Sequence, residues 1–302
     1  MLRIINLIVI VGLLTFSCES QTSEKNGNNA ANQYFQLMPE KFIEQFPGQL
    51  SENSGLIQYN NLLWTFNDSG GKNSIYGCDI SGEIKIEVEL DNAENRDWED
   101  IAQDDEFIYV GDFGNNNGVR KDLSVYKIDK STITDESLQT VDAQIIRFAF
   151  SDQQQFTFSS RTTRFDCESI ANLNNRLYVF TKNWKDETTT VYHLPKQPGE
   201  YIIEPVDSFQ VNGLITGADF SPDFSTLALV GYHDYKPLVW LFKRVSEEKL
   251  FGNKNVFIAM DSLVGAQTEG IYFLGKDTLL ISCESTFNYP AQVFMVDLKT
   301  LK

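Results

Sequence analysis

Three glutamates recur at matching places in this chain and could act together. Glu99, Glu168 and Glu269 each stand two residues before an isoleucine, Ile101, Ile170 and Ile271, at the head of look-alike segments. Carboxylates gathered at one point share protons with raised pKa values or hold a cation. A second set closes the apolar strands that follow: Asn67-Asp68, Asp112, Thr181-Lys182, Tyr232-His233 and Glu284. Together these nominate Asp68, Glu99, Asp112, Glu168, Lys182, His233, Glu269 and Glu284 as ligand-binding residues. Adding Asp219, from Gly217-Ala218-Asp219-Phe220, gives an oxygen-rich set suited to Ca2+: Glu99, Asp112, Glu168, Asp219 and Glu269. The alternative is that these carboxyls accept backbone amides of neighbouring segments and hold strands in register.

Other chemistries find less support. The chain has two histidines and no Gly-x-Ser-x-Gly elbow, so a serine nucleophile lacks its partners. His193 sits in a strand pattern, and His233, after a strand, is the better candidate. The segments Asp68-Ser69-Gly70-Gly71 and Asp112-Phe113-Gly114-Asn115-Asn116-Asn117-Gly118 read as tight turns. The second fails as an EF-hand loop, with Gly114 at its third position and Leu123 at its twelfth. Gly70-Gly71 is no phosphate loop, since neither a helix pattern nor Gly-Lys-Ser/Thr follows.

Positioning these residues falls to a repeat. From about Glu40 onward, short apolar strands alternate with Asn, Asp, Gly and Ser turns, and helical periodicity is nearly absent. Five copies share one plan: an acidic or Gly-containing inner segment, a strongly apolar strand, then a strand around an aromatic. Their inner segments begin at Ser54, Glu99, Glu168, Gly217 and Glu269. Between copies, Glu83 to Leu90, Ala143 to Phe150, Ile202 to Gln210 and Val256 to Asp261 read as outer strands. Four antiparallel strands repeated in this way predict an all-β fold, a single β-propeller of five blades. The last copy has no outer strand of its own, and Glu40 to Phe46 is expected to supply it and close the ring. A sixth blade would have to lie between Ile145 and Arg164, where Gln155-Phe156-Thr157-Phe158 is an extra strand signal.

Taken together, Ser54-Gly55-Leu56, Leu63 to Gly71, Asp97-Trp98-Glu99-Asp100-Ile101-Ala102, Gly111 to Asn116 and Asp166-Cys167-Glu168-Ser169-Ile170 resemble the phytase-like (esterase-like) β-propeller family of bacterial envelopes. The resemblance covers most of residues 50 to 300 and speaks to fold more than to activity. It implies, at most, calcium held by Glu99, Asp112, Glu168 and Glu269 that polarises a phosphoester and activates water. Basic residues near these motifs are Arg120, Arg164 and Lys182.

The N-terminus supplies an address. Met1-Leu2-Arg3, an apolar run from Ile4 to Phe16 and Ser17-Cys18 look like a bacterial lipoprotein signal, residues 1–17, that leaves Cys18 carrying lipid. Residues 18–38 then form a polar tether, and residues 39–302 the propeller. Plain secretion is the alternative. The expected location is the cell envelope, with the lipid as membrane partner. Cys78, Cys167 and Cys283 have neither the number nor the spacing of a disulfide framework or zinc site, and are read as buried thiols. A net charge of -17 repels phosphate backbones, so nucleic acid is not an expected partner. The expected function is binding of a small polar ligand, glycan or protein by a monomer at an acidic channel mouth, without catalysis; a calcium-dependent phosphoric-ester hydrolase is the rival.

Overall fold

A computed structural model describes residues 33–252 and 254–301. The signal, Cys18 and most of the tether lie outside the described residues.

Two short strands come first, β1 (Gln33–Gln36) and β2 (Glu40–Ile43). Four strands follow, β3 (Asn53–Tyr59), β4 (Leu62–Asn67), β5 (Ser74–Cys78) and β6 (Ile84–Leu90). Next come β7 (Trp98–Gln103), β8 (Phe107–Asp112), β9 (Leu123–Asp129), β10 (Leu138–Val141) and β11 (Gln144–Phe150). The third group is β12 (Cys167–Leu173), β13 (Arg176–Thr181), β14 (Thr188–Pro195), β15 (Gly199–Ile203) and β16 (Pro205–Gln210). The fourth is β17 (Leu214–Phe220), β18 (Thr226–His233), β19 (Lys236–Lys243) and β20 (Lys254–Ala259), and the fifth β21 (Thr268–Phe273), β22 (Thr278–Cys283) and β23 (Gln292–Asp297).

These make five sheets, the blades of a propeller. Their inner strands β3, β7, β12, β17 and β21 neighbour one another in a closed ring. The fifth blade takes β2 as its outer strand, antiparallel to β23 with Glu40 opposite Met295, so the N-terminal segment closes the ring as its alternation predicts. No sixth blade exists among the described residues: residues 151–166 are irregular, and Gln155 to Phe158 form no strand because no neighbouring edge pairs with them.

The core explains why the central strands are apolar throughout. Five buried clusters lie between the blades, each contributed by two neighbours. In β8, Ile108 and Val110 face the first blade while Tyr109 faces the third. In β13, Leu177 and Val179 face the second blade, and Tyr178 and Phe180 the fourth. A strand packed on both faces has no solvent side, so its sequence does not alternate. Cys78, Cys167 and Cys283 are buried free thiols in this core, as expected.

One feature was not legible in the sequence. The chain just before the outer strand of a blade reaches back to the preceding blade. Strand β10 pairs in parallel with β6, β15 with β11, and β1 with β20. At the remaining interfaces a loop or turn does the same: the Phe251 amide donates to Asp207 of β16, and the turn at Gly82 lies against Gln45. Gly82 has φ +86, and a Cβ there would stand 2.6 Å from the Gln45 carbonyl oxygen, so no other residue fits. Residues 33–36, ahead of the expected boundary at residue 39, thus pair with the fourth blade. Tyr34 stacks on Phe257 at 5.5 Å and Phe35 packs into the core, which draws residues 33–36 out of the expected tether.

Candidate functional site

All five inner strands carry a register irregularity at the same level. Glu99, Glu168, Thr216 and Glu269 lie within it, and Ser54 flanks it. A bulge re-aims side chains out of the regular pleat. Here it turns three glutamates from three blades into one cavity of about 340 Å3 at the mouth of the ring. Asp68, Asp97, Asp234 and Glu284 join them, with Lys182, Arg161, Trp184, Tyr232, Tyr235 and Gln267.

Of the sequence-nominated residues, Asp68, Glu99, Glu168, Lys182, Glu269 and Glu284 meet in this cavity, and three do not. Asp112 is buried just outside it, held by Arg120 at 2.9 Å and accepting the Asp97 amide at 3.2 Å. Asp219 lies toward the opposite end of the channel, where it accepts the amides of Phe220 and Phe273 at 2.9 and 2.7 Å. Its blade places Thr216 at the glutamate position, so Asp219 falls further down the strand. His233 is half-exposed beside Glu187 and Asp234, because the strand alternation turns Tyr232 inward in its place. The calcium set of Glu99, Asp112, Glu168, Asp219 and Glu269 is therefore not assembled. Among the described residues no three His, Cys, Asp or Glu side chains stand together as a metal-holding group.

The inner strands also carry the bonds the alternative reading expects. Asp100, next to Glu99, accepts the amides of Ile101 at 2.8 Å, Ile170 at 2.9 Å and Ala218 at 3.3 Å, tying three blades together. Burial pushes its carboxyl pKa up, and the three amides pull against that shift. Thr216 donates to the Thr268 carbonyl at 2.7 Å. Register is thus held by Asp100, Asp219 and Thr216, and the glutamates are left free of that work.

Lys182 is the buried cation of the site. Its Nζ donates to Glu168 at 2.9 Å, with the Trp184 and Tyr232 rings centred 5.0 and 5.4 Å away. Burial opposes the ammonium charge, but Glu168, Tyr232, Glu269 and Asp166 together outweigh it and hold the pKa well above the usual lysine range. Trp184 is fixed from behind: its Nε1 donates to Asp166 at 2.6 Å, and Asp166 also accepts the Asn115 amide at 2.6 Å. Arg161 lies over the other part of this wall, 5.5 Å from the Trp184 ring.

Most of the other carboxyls lack such a partner. Glu99 is 6 % exposed, and among the described residues no hydrogen-bond donor reaches its side chain. Burial first, then Glu168 and Asp97, push its pKa well up. Burial chiefly, with neighbouring acids, raises Asp97 to about 6, Asp68 to about 7 and Glu284 to about 9. Glu269 is raised to about 8 by burial, against the pull of Lys182. The loop after β8 presses on this group: a side chain on Gly114 would have to push the Glu99 and Asp97 carboxyls aside. Asp97, Arg161 and Trp184 were missed in the sequence, and Tyr232 was named there only beside His233, which was chosen in its place. The Asp97/Glu99 and Asp166/Glu168 spacing was a signal, although the two aspartates take different roles.

The fold and cavity define a five-bladed β-propeller with an acidic mouth. No protein-family model matches the chain, and no curated protein matches it. Solved structures similar to it include a putative TolB from Agrobacterium tumefaciens, 10% identical, TM-score 0.40, covering 82% of this chain and 77% of that one. A nidogen/laminin complex gives 13% identity and TM-score 0.42 over 83% of this chain and 77% of that one. Kuenenia stuttgartiensis hydrazine synthase gives 12%, TM-score 0.38, 93% and 67%.

Proposed function

We propose that this protein is a lipid-anchored propeller of the bacterial envelope that binds a small polar ligand, or the polar end of a glycan or protein, at its acidic mouth without catalysis. One observation carries the reading: acids from five separate blade-forming stretches line a single cavity walled by Trp184, Tyr232 and Tyr235. Aromatic faces beside unpaired polar groups suit a small polar occupant.

The rival is a calcium-dependent phosphoric-ester hydrolase. A phosphate needs cations, and most near the site are committed: Lys182 to Glu168, Arg120 to Asp112 and Arg164 to Asp186 at 3.0 Å. That favours the binding reading. A phosphomonoester panel with calcium, and with a chelator, tests it. Equal silence in both arms is expected, and calcium-dependent turnover lost in Glu99→Gln overturns it.

The proposed anchor rests on the N-terminal sequence. Fourteen residues separate Cys18 from Gln33, a reach of at most about 50 Å. The chain works as a monomer, and its charge of -17 keeps it from nucleic acid.

A further inference from the structure

We infer that the occupant of the mouth carries an organic ammonium group, seated against Glu99 and bounded by the aromatic wall. This rests on the binding reading above and names its ligand class.

The first support is Glu99 itself. A carboxyl so deeply buried ordinarily finds a donor within the protein, because an unpaired one costs free energy. Glu99 faces the cavity with none. The loop position that crowds it is Gly114, which offers no side chain. The cavity is the side from which a partner can reach it.

The second support is the way the site already holds a cation. Lys182 brings an ammonium to one carboxylate, with two aromatic rings within 5.4 Å. An ammonium so placed gains from the carboxylate charge and from the ring faces together. Glu168 is satisfied by this arrangement, whereas Glu99 has the acid without the cation. Tyr235 adds a further ring face, stacked on Tyr232 at 6.0 Å and 3° and itself half-exposed at the cavity edge. Seven acids line the cavity with Lys182 and Arg161, and a positive guest, unlike a neutral one, gains as it draws off the protons that burial keeps on several of them.

Choline and its uncharged isostere 3,3-dimethyl-1-butanol test this, since they share shape and differ in charge. Titration calorimetry on the purified protein should show choline binding at least about tenfold tighter than the isostere. Glu99→Gln and, separately, Glu284→Gln should each weaken choline about tenfold or more, while the exposed Glu83→Gln leaves it unchanged. A melting curve for each variant shows that it is folded. Equal binding of choline and the isostere overturns the inference, as does undiminished choline binding in folded Glu99→Gln. Binding of the isostere or of glucose alone removes the ammonium while leaving a polar-ligand site. No binding by any of these or by putrescine removes the inference, and a glycan screen then decides the broader reading. Calcium binding in place of choline, lost in Glu99→Gln, also overturns it.

Discussion

The Asp100 carboxylate of one blade accepts the Ile170 amide of the next at 2.9 Å, one residue beyond the bulge that carries Glu99. The same oxygen takes the Ala218 amide at 3.3 Å, so one side chain sets three inner strands at a common height. The cavity above depends on that alignment. Asp100→Asn turns an amide donor toward at least one of the three N–H groups. Thermal or urea unfolding should show a loss of about 1–3 kcal/mol. Unchanged stability would mean that the ring does not lean on this carboxyl.

Lys182 and Glu168 should behave as a unit. Lys182→Met leaves Glu168 buried without its counter-charge, at a cost of about 3–5 kcal/mol. Adding Glu168→Gln should recover most of that loss, because the stranded charge is gone. Additive losses in the double variant would show that the two groups are not coupled.

The acidic mouth sets a pH dependence. Asp68, Glu269 and Glu284, held at about 7, 8 and 9, keep protons in the folded state that the unfolded chain releases near its ordinary carboxylate range. The folded state therefore binds more protons between about pH 4.5 and 9, and stability falls as pH rises through that window. His193, pushed below its usual pKa by burial, works the other way below the ordinary histidine range. Tm should drop by roughly 2–6 °C from about pH 5 to about pH 9. Glu284→Gln should flatten the alkaline part. A Tm that climbs steadily across this range contradicts the proton balance.

The two N-terminal strands should differ in weight. Truncation before residue 38 removes β1 and leaves the ring closed, so the remaining chain should stay folded with a lower Tm. Truncation before residue 47 also removes β2 together with Ile43 and Phe46, which are 1 % and 2 % exposed. That uncovers β23 and should yield insoluble or cooperatively unfolded protein. Circular dichroism on the two truncations separates these outcomes.

The proposed anchor has its own check. Cys18→Ser should move the protein from the membrane to the soluble fraction of its host envelope. Equal membrane association of the two forms would remove the lipid.

Much of this architecture was legible because each central strand packs on both faces, which writes Leu177 to Phe180 or Ile108 to Val110 as unbroken apolar runs. The convergence of Glu99, Glu168 and Glu269 followed from their equivalence in the repeat. Asp219 misled because blade four keeps the bulge but substitutes Thr216 at its tip, and a shift along the inner strand carries the acid toward the other end of the channel. Asp112 ends the right strand but is claimed by Arg120, eight residues on. His233 was a matter of parity, with Tyr232 turned inward. The reach-back strands left little trace, since four or five residues such as Leu138–Val141 become a strand only once a neighbour's edge is present.

That Gln33–Gln36 and Glu40–Ile43 pair with β20 and β23 bears on how the chain is made. The first segments of the domain to leave the ribosome cannot settle until nearly the last ones exist, so loop closure spans almost the whole sequence and folding should be slow. During that wait the edges of the fourth and fifth blades stand open. A secretion pathway that hands the chain over unfolded, then lets both termini meet at once, would suit such a molecule better than piecemeal folding during synthesis.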